Sequence, residues 1–115
     1  MRRTLLSLVS LLALGCAPNV GPDGLLIGGP CRDTLDCVTG AYCLEDSREF
    51  PEGTCTTVCD DDDDCRGDSS CIEIRSGACL LRCDEDADCG REGYTCQRET
   101  RRGSAGDVMV CAGGG

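Results

Sequence analysis

The chain reads as a small disulfide-rich fold, made of three tandem four-cysteine modules in an elongated row, with little regular secondary structure beyond short hairpins and turns. Three observations predict this class. Twelve of the 13 cysteines fall into one recurring spacing, aromatic residues make up only 3% of the chain, and no stretch has helical periodicity. The spacing runs Cys31-x5-Cys37-x5-Cys43-x11-Cys55, then Cys59-x5-Cys65-x5-Cys71-x7-Cys79, then Cys83-x5-Cys89-x6-Cys96-x14-Cys111, with three residues between consecutive units. The resulting layout is 1–15 as a signal segment, 16–30 as an anchor and tether, and units at 31–58, 59–82 and 83–115.

The first element is an export signal. Arg2 and Arg3 give a basic start, Leu5 to Leu14 an apolar run, and Leu12-Ala13-Leu14-Gly15 leads into Cys16. A run of about 10 apolar residues is half of what a bilayer core requires. The last residues resemble a bacterial lipobox, with Ala13 where leucine is most common. That resemblance implies cleavage before Cys16 and its acylation as the new amino terminus. Parity agrees, since lipidating Cys16 leaves an even twelve for bridges and no odd thiol in an exported protein. Ala17, where enterobacterial sorting reads aspartate as an inner-membrane signal, implies an outer-membrane lipoprotein, facing the periplasm or the cell surface. Several acyl chains at about 0.8 kcal/mol per buried CH2 make a durable anchor.

The second element is the segment APNVGPDGLLIGGP, with three prolines and four glycines among residues 17–30. It reads as a tether without a core of its own, reaching about 45 Å when extended. Leu25, Leu26 and Ile27 interrupt it, and two destinations stay open for them: the first unit or nearby lipid.

The three units follow. Tyr42, Phe50 and Tyr94 are the only aromatics, and the 40% hydrophobic share includes cysteine. A chain this poor in core residues relies on staples. Each bridge closing a loop of about 15 residues removes roughly 3 kcal/mol of unfolded-state entropy in the polymer model. The disulfide cysteines are Cys31, Cys37, Cys43, Cys55, Cys59, Cys65, Cys71, Cys79, Cys83, Cys89, Cys96 and Cys111. Four cysteines per unit allow three connectivities, and spacing leaves all of them open.

The repeat extends past cysteine. Asp36, Asp64 and Asp88 each precede the second cysteine, Gly40, Gly67 and Gly93 each lie between the second and third, and Gly53 and Gly77 stand two residues before the fourth. Glycine turns near the third and fourth cysteines predict a small hairpin in each unit. Ile72-Glu73-Ile74 and Val108-Met109-Val110 are the strand candidates. Repeats of about 28 and 24 residues, each contacting its neighbours, predict three modules in a row.

The stretches CDEDADCGREGYTC and, more loosely, CRDTLDCVTGAYC resemble the cysteine-rich repeats of myxobacterial lipoproteins of unknown function. They are also similar to the amino-terminal cysteine-rich domain of Dickkopf proteins. The likeness covers Cys31 to Cys111 and lies in cysteine, aspartate and glycine positions, so it implies a module type and carries no activity across. All eleven basic residues are arginine, a composition that fits a GC-rich bacterial genome.

Charge narrows the partners. Loss of Arg2 and Arg3 with the signal takes the formal net charge from −10 to −12, which excludes nucleic acid. The acids cluster between the first and second cysteines: Asp33 and Asp36, the run Asp60 to Asp64, then Asp84, Glu85, Asp86 and Asp88. Carboxylate oxygens on such loops are hard-cation donors, so Asp60, Asp62, Asp64, Asp84, Asp86 and Asp88 are the calcium candidates. Asp84-x-Asp86-x-Asp88 imitates the start of an EF-hand loop, but Cys89 replaces its turn glycine and Thr95 its bidentate glutamate. Solvated acidic loops that keep a stapled module soluble are the alternative. No C-x-C or C-x2-C pair and no histidine offers a zinc or copper site. Without histidine or lysine, the usual general bases are also missing, and no enzyme is expected.

One segment reverses the charge pattern. Between Cys96 and Cys111 the chain reads QRETRRGSAGDVMV, and Arg98, Arg101 and Arg102 form a basic tip on the longest intercysteine loop. It reads as a mobile loop, a contact site, or a reactive loop of the protease-inhibitor kind. The function expected is that of a non-enzymatic, membrane-anchored structural or binding module with an envelope or extracellular protein or glycan as partner. The alternatives are a calcium-binding or calcium-dependent adhesion module, and a protease-inhibitor-like module.

Overall fold

The computed structural model describes residues 19–114, so the signal segment, Cys16 and the next two residues lie outside the described part. Among these residues six short strands form three antiparallel hairpins, one for each unit. They are β1 (Tyr42–Leu44) with β2 (Thr54–Thr56), β3 (Ser69–Ile72) with β4 (Ala78–Leu81), and β5 (Tyr94–Thr100) with β6 (Asp107–Gly113). The only helical elements among the described residues are the 3-10 turns Thr34–Asp36, Asp62–Asp64 and Asp86–Cys89, the first two between the first and second cysteines of their units and the third ending on its second cysteine.

The hairpins place the third and fourth cysteines directly opposite each other, at Cys43↔Cys55, Cys71↔Cys79 and Cys96↔Cys111. These opposed cysteines are not bonded to each other. Each bonds to the preceding loop, first to third and second to fourth: Cys31–Cys43 and Cys37–Cys55, Cys59–Cys71 and Cys65–Cys79, Cys83–Cys96 and Cys89–Cys111. The loop therefore lies across its hairpin, pinned once to each strand. The close approach explains one repeated glycine. A Cβ on Gly53 or Gly77 would collide with the carbonyl oxygen of Cys31 or Cys59, and both residues sit at positive φ. The third unit has Met109 at that place, and the Cys83 amide instead donates to the Met109 carbonyl at 3.2 Å.

The expected strand at Val108–Val110 lies within β6. The one expected at Ile72–Ile74 is displaced. Ile72 closes β3, because the Ile74 carbonyl accepts from the Gly77 amide and has begun the turn, while the Glu73 amide donates to Thr100 of the third unit.

The three modules of the row are not independent of one another. Leu44 and Phe50 of the first unit, Ile72, Ala78 and Leu80 of the second, and Val110 of the third form one buried cluster. The first and third units touch directly, with the Tyr94 hydroxyl 2.7 Å from the Thr54 hydroxyl. A two-stranded hairpin cannot bury its apolar face against itself, so three of them close on one another.

The tether expectation is corrected from residue 19 onward. Ile27 is fully buried among Cys59, Cys71 and Cys79 of the second unit, with Val20 and Leu26 packed around it. The Gly28 amide donates to the Cys55 carbonyl and the Cys55 amide to the Gly29 carbonyl, so the segment pairs with the edge of β2. Val38 of the first unit donates to the Leu25 carbonyl. Burial of an isoleucine, worth about 1.5–3 kcal/mol, and these backbone bonds offset the entropy of ordering a glycine-rich strand. Ile27 thus anchors in the second unit, a destination the sequence reading did not include.

Candidate functional site: the acidic loops and their arginines

The three acidic loops share one internal wiring. In the first, Asp36 Oδ2 accepts from the Arg32 amide at 2.7 Å. In the second, Asp64 Oδ2 accepts from the Asp60 amide at 2.8 Å, and in the third Asp88 Oδ2 accepts from the Asp84 and Glu85 amides at 2.9 and 3.0 Å. The aspartate before the second cysteine therefore closes the loop onto the residues after the first. These bonds hold the Asp36 carboxyl, through Arg32 first, and the Asp88 carboxyl, through Asp84 and then Glu85, below the ordinary carboxylate value. Asp33 and Asp61 cap the turns, accepting from the Leu35 and Asp63 amides.

A second repeated contact ties loop to hairpin. The residue three after the first cysteine accepts from the amide of the third cysteine: Thr34 from Cys43 at 3.4 Å, Asp62 from Cys71 at 2.8 Å, Asp86 from Cys96 at 2.8 Å. These backbone groups would otherwise be left without partners at the crossing point of loop and strand.

The calcium candidates are thus placed, and each except Asp84 has at least one carboxylate oxygen engaged within the protein. Asp62 Oδ1 serves Cys71, and its Oδ2 faces Arg82 at 3.5 Å and Arg101 at 3.9 Å. Asp64, Asp86 and Asp88 serve backbone amides, and Asp60 faces Arg102 at 3.7 Å. Asp84 lines an open groove with Asp68, Arg82 and Asp88. Among the described residues, the triads whose ligand atoms lie within 4.8 Å of one another consist of cysteine sulfurs, as in Cys59, Cys65 and Cys71. All of those sulfurs are in disulfides and carry no thiolate to donate.

The basic tip also lies elsewhere than expected. Arg101 and Arg102 are about two-thirds buried and turn back onto the second unit. The Arg102 amide donates to the Cys71 carbonyl, Arg102 Nη1 reaches Glu73 Oε1 at 2.7 Å, and Gly103 lies so close to the Asp60 carbonyl that a Cβ there would overlap it. The loop is therefore a clamp between third and second units. Arg98 alone of the three remains exposed.

A residue the sequence reading passed over holds the opposite side. Arg91 donates from Nη1 to the Gly28 carbonyl and the Thr54 hydroxyl, and from Nη2 to the Pro51 and Gly53 carbonyls, all within 3.0 Å. Its guanidinium stacks 4.3 Å above the Tyr94 ring. Burial raises the Tyr94 phenol above its ordinary pKa, ahead of the opposing effects of Thr54 and Arg91. Arg91 joins all three parts: the amino-terminal segment, the first unit and the third. Its only sequence signal was being an arginine inside an acidic unit.

The first unit also carries a cluster of acids. Asp36, Glu45, Asp46 and Glu52 line an open groove beside Pro30 and Cys31, with Arg32 at its rim. Among the described residues no helix is long and apolar enough to cross a membrane. Nothing matches this chain among protein-family models, curated proteins or solved structures.

Proposed function

We propose that the chain is a bacterial envelope lipoprotein, held on the outer membrane by an acylated Cys16, whose stapled body is a non-enzymatic structural or binding module. The observation that carries this reading is the closure of the cysteine count. All twelve cysteines from Cys31 to Cys111 pair among themselves, which leaves Cys16 without an intrachain partner directly after an export signal. Six bridges, a shared core and two arginine clamps make a body suited to presenting a fixed surface. The exposed acidic groove of the first unit is the part of that surface that best fits a basic patch on an envelope or extracellular partner.

Mass spectrometry without reduction, on protein extracted from native membranes, tests the reading. The expected result is a chain beginning at acylated Cys16 with the six bridges described above. A mature chain beginning elsewhere, or an unmodified Cys16 thiol, overturns it.

A further inference from the structure

The lipid anchor and the folded body are closer together than the proline- and glycine-rich sequence implies. Asn19 is exposed, yet its carbonyl accepts from both the Leu26 and Ile27 amides, and Val20 bridges to Ile27. The ordered packing therefore reaches at least as far as residue 19. Only Ala17 and Pro18 separate it from Cys16, and three Cα steps span at most about 11 Å.

Exposed apolar side chains stand among charged ones on the surface near the amino-terminal segment. Leu25, next to Leu26, is 42% exposed, and Val58, 70% exposed, shares an open groove with Leu26 and Thr57. Val38 adjoins through its bond to Leu25. Leu25 and Val58 are two of the three large hydrophobic side chains exposed among the described residues. The acids bordering this groove are partly offset: Asp60 faces Arg102, and Asp64 spends an oxygen on the Asp60 amide.

Resting on the lipidated Cys16 reading, we propose that the body lies directly on the lipid surface, with the Leu25, Leu26, Val38 and Val58 face docked into the headgroup region. The occupant of that face is the membrane carrying the protein's own anchor. Short linkage holds the face at high local concentration over the bilayer, so weak apolar contacts are enough to orient it.

The test uses the lipidated protein reconstituted in phosphatidylcholine nanodiscs containing a gadolinium-chelating lipid, read by amide NMR. Asn19 and Val20 broaden in any case because they adjoin the anchor, so the deciding signals are Val38 and Val58. Broadening several-fold greater at these two than on the rest of the surface is expected, and Leu25→Asp with Val58→Asp should reduce it at Val38 several-fold while the remaining amide shifts stay in place. Uniform broadening, or broadening centred on another face, overturns docking and leaves the anchor intact. A mass without acyl chains on Cys16 overturns anchoring and docking together, so the two failures are distinguishable.

Discussion

The acidic loops of the first and second units share the same turn, the same aspartate closing it and the same pair of bridges, yet one faces solvent and the other is clamped. In the first loop Arg32 is 93% exposed at the side chain and pairs only with Asp36 of its own turn, at 3.8 Å. In the second, Arg82, Arg101 and Arg102 converge on Asp60 and Asp62 from other parts of the chain. The difference separates two uses of one residue type. Aspartates at repeat positions satisfy backbone amides wherever they occur, whereas charge beyond that role binds arginines of a neighbouring unit in one loop and faces solvent in the other.

Breaking the staples beneath each loop gives the largest expected effect. Cys65→Ala with Cys79→Ala, and separately Cys37→Ala with Cys55→Ala, should each cost about 2–5 kcal/mol in denaturant unfolding. The second-unit pair should cost more, because the clamp loses its platform. Equal losses would show that the clamp adds nothing to stability.

Exchanging the residues that tie loop to hairpin sharpens the comparison. Asp62→Ala should cost about 1–3 kcal/mol by orphaning the Cys71 amide and two arginines, and Thr34→Ala about 1 kcal/mol. Asp62→Thr imitates the first unit, restoring the amide partner without the charge, and should fall between them. Urea titrations at low and high salt should narrow the gap between Asp62→Thr and the parent as salt rises. A gap indifferent to salt would remove charge from the account of the clamp.

Acid unfolding gives the smallest effect. The folded-state pKa values of Asp36 and Asp88 are depressed, so their contribution is present above the unfolded value of 3.8 and is lost as pH falls through the lower folded values. Asp36→Asn and Asp88→Asn should therefore flatten the acid limb of the stability profile below about pH 4. A limb as steep as the parent's would mean that these exposed carboxylates bind their amides equally well in the unfolded chain.

Cysteine spacing made the modules legible, and the glycines near the third and fourth cysteines made the hairpins legible, because both encode local geometry. Connectivity was not legible, since the opposed cysteines of each hairpin are as compatible with direct pairing as with pairing to the loop. The shared core escaped because its six residues are scattered singly between cysteines, with no periodicity to bind Leu44, Ile72 and Val110 to one another. Leu25-Leu26-Ile27 did signal burial, and treating the surrounding glycines as flexibility concealed where it led. The candidate site was half visible. The acids were obvious as charge, but their service to backbone amides depends on a turn whose signature is the aspartate before each second cysteine. The clamp was foreshadowed by the coexistence of Arg101 and Arg102 with the run Asp60 to Asp64, opposite charges in a chain small enough to bring them together.

Overlapping bridges also govern how such a chain bears a load. With Cys37–Cys55, Cys65–Cys79 and Cys89–Cys111 intact, the shortest covalent route from Cys31 to Cys111 runs through about 26 residues of backbone and three bridges instead of about 80 residues. Pulled between Cys31 and Cys111, even the fully unfolded oxidised chain lengthens to only about 110 Å, where a reduced chain would run out to about 280 Å. The body behaves as a short link whose two ends cannot be drawn far apart while the bridges are intact.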